Sequence, residues 1–151
     1  LDRDPSGELG AAITFGSASG CATLFLEFAP SWKQNRVIES AFIVLDPMPG
    51  TRRGPEDVEI DAWRIGERWS PEAISWFDKP ELLPPSASGI ARAAPPMPLR
   101  VDVTAIAMHL AEHAQNDHGI ALTAGGGSDV GASFATGASG GNAPRLELYV
   151  R

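Results

Sequence analysis

The chain has 151 residues, 12 basic against 19 acidic side chains and a formal net charge of −7. That length buries a core without staples and predicts one domain spanning 1–151, while the acidic balance argues against nucleic acid or an anionic membrane as partner. The single cysteine, Cys21, excludes an internal disulfide and a Cys-based zinc site. No run approaches the roughly 18–20 apolar residues that span a bilayer, so no membrane insertion is expected. No signal peptide is visible, and the start at Leu1 reads as a processed or excised piece of a larger chain.

In chain order, most segments read as strands. AAITFG (11–16) is a short edge-strand candidate. ATLFLEF (22–28) sets Leu24, Leu26 and Phe28 on one face, and VIESAFIVL (37–45) is rich in β-branched and aromatic residues. DVEIDA (57–62) alternates, with Val58, Ile60 and Ala62 inward and Asp57, Glu59 and Asp61 toward water. LRVDV (99–103), GIALTA (119–124), GASFAT (131–136) and RLELYV (145–150) complete about eight short strands. Pro-, Gly- and Ser-rich stretches at 46–55, 79–88, 93–98 and 137–144 separate them and read as loops. One segment departs from the pattern: AIAMHLAEHA (105–114) has helical spacing, with Thr104 as the expected N-cap and QNDHG (115–119) as the stop. The predicted fold is an all-β, antiparallel β-sandwich, jelly-roll-like, with one short crossover helix.

The order of these landmarks resembles the DNRLRE-type domain, a β-sandwich module of secreted and surface-attached bacterial and archaeal proteins, grouped with a carbohydrate-binding module family. The resemblance covers about 22–151 and rests on an ordered set: LFLEF (24–28), SAFIVL (40–45), WSPEAISWFDKP (69–80), VDVTAIAMHL (101–110), DHGIAL (117–122) and PRLELYV (144–150). There are departures. Leu26 and Glu27 replace the usual Phe-Asp, Leu110 stands where the family carries Trp, and Thr136-Gly137-Ala138 replaces the family's S-x-E. The resemblance implies a non-catalytic module of an extracellular or cell-surface protein, part of a larger multidomain chain, that binds polysaccharide or a matrix component. The alternative is a structural or interaction module that spaces or assembles a surface protein without a sugar ligand.

Several residues bear on chemistry. HLAEH (109–113) fits the inverted zinc-hydrolase pattern, in which His109 and His113 would hold a metal and Glu112 would move a proton. A third protein ligand is missing, because His118 lies beyond the helix stop, so no enzyme is expected from this motif. Nor does any Ser sit in a G-x-S-x-G elbow, and GGG (125–127) has no following GK[ST]. The resemblance to the DNRLRE-type domain implies structural core or edge-covering positions for Trp69 and Trp76. Strict alternation places Trp63 on the solvent face with Glu59 and Asp61, unless a bulge after Ala62 resets the register. An indole there, beside Arg64, would make a platform for the C–H face of a sugar. Arg52 and Arg53 form the most basic local patch and would suit a uronate or an acidic partner. The candidate contacts are therefore Trp63, Arg64, Arg52 and Arg53. No cofactor is expected. Asp57, Glu59 and Asp61 with Asp46, or Asp4 and Asn142 in loops, offer oxygens of the kind Ca²⁺ takes, although alternate residues on one face stand roughly 6.5–7 Å apart.

Overall fold

The computed structural model describes residues 12–15, 23–28, 37–47, 57–74, 78–91, 97–125, 132–135 and 143–151. Among these are nine strands: β1 (Ala12–Phe15), β2 (Thr23–Leu26), β3 (Ile38–Leu45), β4 (Val58–Ile65), β5 (Leu82–Ala91), β6 (Leu99–Asp102), β7 (Ile120–Gly125), β8 (Ala132–Ala135) and β9 (Arg145–Val150). Among the described residues one α-helix, α1 (Thr104–Glu112), lies between β6 and β7, and a 3-10 turn, Ala114–Asn116, follows it. The strands form a four-stranded sheet, β2-β7-β4-β5, a three-stranded sheet, β6-β3-β9, and a two-stranded pair, β1-β8; every pairing is antiparallel. The protein is an all-β sandwich whose two larger sheets enclose the core.

Alternation decides what goes inside. From the three-stranded sheet come Ala41, Ile43, Leu45, Leu99 and Val101, and from the four-stranded sheet Leu24, Val58, Ile60, Ala62, Ile120 and Leu122, all buried. The helix adds Ile106, Ala107 and Leu110, so it closes the sandwich as the connection that carries the chain from the three-stranded sheet to the four-stranded one. It packs against β3 and β5. Among the described residues no helix is long and apolar enough to cross a membrane.

The expected loop at 79–88 is a correction. Leu82–Ala91 is a ten-residue strand paired with β4 alone, at the sheet edge. Its prolines hid it, since proline cannot donate to a ladder, but an edge strand needs only one of its two sides paired. Register also shifts there: Trp63 pairs with Ser86 and Arg64 with Leu83, so Pro84 and Pro85 are the two residues the ladder skips. Further along β5, Gly89 lies against β6, where an added Cβ would sit 2.9 Å from a Val101 methyl. The missing side chain lets the edges of the two sheets approach.

The Asp102-Val103-Thr104 stretch has a specific task at the entrance to the helix. Thr104 is the first helical residue rather than the N-cap; that position is Val103, which has no side-chain cap. Asp102 supplies the acceptor instead, since its Oδ1 receives the Thr104 N–H at 3.0 Å and the Thr104 hydroxyl at 2.5 Å. The same hydroxyl accepts the Ala41 N–H at 3.0 Å, while the Val103 N–H donates to the Ala41 carbonyl at 2.9 Å. The β3–β6 ladder thus continues past the end of β6, with a side-chain oxygen where a backbone carbonyl would have been. These hydrogen bonds, hydroxyl first, hold the Asp102 carboxyl below its usual pKa. Its contribution is therefore complete above the ordinary carboxylate range and is lost as pH falls through the lowered value.

Ala41 is fully buried, so Thr104→Val, which keeps the shape and deletes the oxygen, strands its amide. The expected cost is about 1–3 kcal/mol. Urea unfolding would show this as a lower midpoint at unchanged m-value, and a midpoint equal to wild type would contradict the role given to the hydroxyl.

Candidate functional site

The outer face of the four-stranded sheet carries aromatic residues in one row. In the ladders, Ala121 of β7 pairs with Phe25 of β2 on one side and with Trp63 of β4 on the other. Adjacent strands lie about 4.8 Å apart, so the two aromatic residues stand roughly 10 Å apart across the sheet. Ala121 is fully buried although it faces outward, which is consistent with the two large neighbours closing over it. Phe25 and Trp63 remain partly exposed. Trp69, from the segment that follows β4, meets Phe25, its ring centroid 5.6 Å from that of Phe25 at an interplanar angle of 45°.

Trp69 also fastens the segment that follows β4. Its indole N–H donates to the His118 carbonyl at 2.6 Å. The start of the segment is tied to β5's approach, with the Gly66 N–H on the Glu81 carbonyl at 2.8 Å and the Glu81 N–H on Glu67 Oε1 at 3.0 Å. Trp69 thus holds this segment against the 117–119 turn, and it also lines an open cleft. Trp76 lies outside the described residues.

The cleft, of about 320 Å³, is lined by Glu27, Arg68, Trp69, Gln115, Asp117 and His118. Three separate segments meet here: the end of β2, the start of the 66–74 segment and the turn after α1. Glu27, Arg68 and Gln115 are exposed, while Asp117, His118 and Trp69 are partly buried. The turn that carries Asp117 and His118 ends at Gly119, whose φ of +95° is open to glycine alone at low cost. The Gly119 carbonyl accepts the Ile65 N–H at 3.0 Å, and its own N–H donates to Asp117 Oδ1 at 3.0 Å. A Cβ on Gly119 would overlap the Leu26 carbonyl oxygen. The turn is therefore tied to β2, β4 and Trp69 at once.

The residues expected as contacts do not gather there. The β4–β7 register runs unbroken through Trp63, so the indole does lie on the outer face with Glu59 and Asp61; the bulge toward β5 comes one residue later. Arg64, the next residue, pairs with Ile120 and points to the opposite side. Its Nε donates to the Pro84 carbonyl at 2.5 Å. Strand geometry therefore separates Trp63 from Arg64, and neither lines the cleft. Arg52 and Arg53 lie outside the described residues.

The histidines of HLAEH are stacked rather than convergent. The helix ends at Glu112, His113 leaves helical geometry, and the two rings lie 4.4 Å apart at 23°. In-plane lone pairs of nearly parallel rings do not aim at a common point, and His113 Nδ1 lies 3.0 Å from the His109 carbonyl. Partial burial, then the His113 and Arg64 charges, hold the His109 pKa below its usual value, with Glu112 opposing. Of the carboxylates considered for calcium, Asp61 accepts the Ser88 hydroxyl at 2.7 Å and Asp46 pairs with Arg145 at 3.0 Å. Among the described residues no three His, Cys, Asp or Glu side chains come together in a group that could hold a metal ion. Asp4 and Asn142 lie outside the described residues.

Sequence reasoning does not reach the cleft residues. The DHG stretch signals a turn, but nothing in it shows that Glu27 and Arg68 end beside it. Compared with known proteins, the chain matches no family model, no curated protein and no solved structure.

Proposed function

We propose that this β-sandwich is a non-catalytic module of an exported or cell-surface protein and binds polysaccharide on the outer face of its four-stranded sheet. The observation that carries this reading is the pair Phe25 and Trp63, partly exposed on either side of Ala121, with Trp69 against Phe25 and lining a polar cleft. Aromatic faces take up the apolar C–H surface of a sugar ring, while convergent polar groups fix its orientation. The resemblance to the DNRLRE-type domain points the same way. Within the reading, Trp63 serves as a stacking residue, whereas Arg64, turned to the other side, does not contact the sugar.

A glycan array, repeated with and without Ca²⁺, tests the proposal. Trp63→Ala is expected to weaken the best ligand about ten-fold, the equivalent of roughly one aromatic contact. Absence of any binder among neutral and uronic glycans would end this reading. The competing one is a structural or interaction module of a larger surface protein. It draws on a shallow cleft where Val37 and Met108, 61% and 44% exposed, lie beside Ile38 and Ala111. A glycan-negative result leaves that reading in place.

A further inference from the structure

We infer that the polysaccharide crosses the strands of the four-stranded sheet rather than running along them, and that it is an extended chain of β-1,4-linked sugars; this rests on the polysaccharide reading above. The register carries the direction. Phe25 of β2, Ala121 of β7 and Trp63 of β4 are ladder partners, and the partner of Trp63 on β5 is Ser86. Phe25 and Trp63 are partly exposed, while Ala121 between them is buried. Along the strands the same face offers no second aromatic residue at the neighbouring positions: Asp61 precedes Trp63 on β4, and Thr23 and Glu27 flank Phe25. The two aromatic side chains therefore mark a line across the strands, roughly 10 Å from end to end. One pyranose ring cannot lie on both. A chain that touches both places one sugar on Phe25, one on Trp63 and one between them, over the small side chain of Ala121.

A second row lies beside the first. Two residues along each strand, Thr23, Thr123, Asp61 and Ser88 are partners in turn, so oxygen-bearing side chains flank the aromatic line on the same face. All four are at least partly exposed. The Ser88 hydroxyl donates to Asp61 Oδ1 at 2.7 Å, and a carboxylate that takes one O–H retains acceptor capacity for others. Sugar hydroxyls donate and accept around the edge of the ring. A sugar whose C–H face lies on Trp63 can therefore turn that edge to Asp61 and Thr123. The spacing sets the linkage class. In an extended β-1,4-linked chain alternate sugars return to the same orientation, and that repeat is about the separation of Phe25 and Trp63. An α-1,4-linked chain coils and turns successive rings off a common line.

Calorimetric titration of the intact chain with cellohexaose, xylohexaose and mannohexaose tests this, with maltohexaose as the α-linked arm and cellobiose, xylobiose and mannobiose as the short arms. At least one β-1,4 hexasaccharide is expected to bind about ten-fold more tightly than its disaccharide, and maltohexaose to fail. Phe25→Leu keeps apolar bulk against Trp69 and Asp61→Asn keeps the shape, so both are expected to melt like wild type. Each should weaken the hexasaccharide about ten-fold, and Phe25→Leu should also erase most of the gain over the disaccharide. A hexasaccharide that binds no better than its disaccharide, or that Phe25→Leu holds like wild type, overturns the crossing path and leaves the polysaccharide reading on Trp63→Ala alone. Wild-type binding by Asp61→Asn overturns the oxygen-bearing row as a contact. The linkage assignment is overturned if maltohexaose binds as tightly, or if the glycan array finds a ligand while every β-1,4 hexasaccharide fails. If no hexasaccharide binds and the glycan array is also blank, the polysaccharide reading falls and takes the path with it.

Discussion

Gly119→Ala is expected to destabilise the protein by roughly 2–5 kcal/mol, the sum of placing an L-residue at positive φ and forcing a methyl group into occupied space. The obstacle is not a side chain that can swing aside. The methyl would meet the Leu26 carbonyl oxygen first, with the Leu26 carbonyl carbon and the Glu27 Cα next at 3.1 and 3.4 Å. Either β2 is pushed out of its ladder with β7 or the turn gives up its hydrogen bonds to Ile65 and Asp117. Both routes reach the cleft beside Trp69, because Glu27 follows the displaced strand end and Asp117 and His118 precede the glycine. Urea denaturation followed by tryptophan fluorescence measures the loss, and a stability within about 0.5 kcal/mol of wild type, the range of ordinary surface substitutions, would show that the turn relaxes freely.

Leu110→Ala carries a comparable expectation, about 2–5 kcal/mol, the range for removing a fully buried leucine. Leu110 is 1% exposed and belongs to the core cluster with Ile106 and Ala107 of the same helix and Ile43, Leu45 and Val101 of the facing sheet. The neighbours are held in paired strands and have little freedom to collapse into the space. At ~2–4 °C per kcal/mol for a chain of this size, the melting temperature should fall by roughly 4–20 °C. His109 and His113 flank this position in sequence, but their rings stack at the helix end outside the core cluster. A small effect of Leu110→Ala would therefore mean that the helix is dispensable to the sandwich.

The two substitutions also mark how much of the molecule is legible in its sequence. Periodicity alone places Leu110, since Ile106 and Leu110 fall four apart on one helical face. Gly119 is recognisable as a stop, but the Leu26 carbonyl that makes it indispensable belongs to a distant stretch of the chain. The strands β3, β4, β7 and β9 are evident from alternation and β-branched content. β5 is not: prolines that would forbid a central strand are tolerated on an edge, and whether a strand is an edge is decided by its neighbours in the sheet.

The candidate site divides along the same line. Of the two placements the sequence leaves open for Trp63, the structure shows the outer face, the one that unbroken period-two alternation gives. The pairing of Trp63 with Arg64 as joint contacts does not survive, for that same reason: adjacent residues on a strand face opposite ways. From the sequence by itself follow the sandwich class, the faces of its regular strands and the crossover helix, all of which depend on local periodicity. Only the tertiary structure decided that Phe25, Ala121 and Trp63 share a row, that Thr104 completes the ladder of β3, and that Glu27, Arg68 and Asp117 meet at one cleft. Those relations are set by strand order and register, the outcome of burying both sheets against each other, and no single segment contains them.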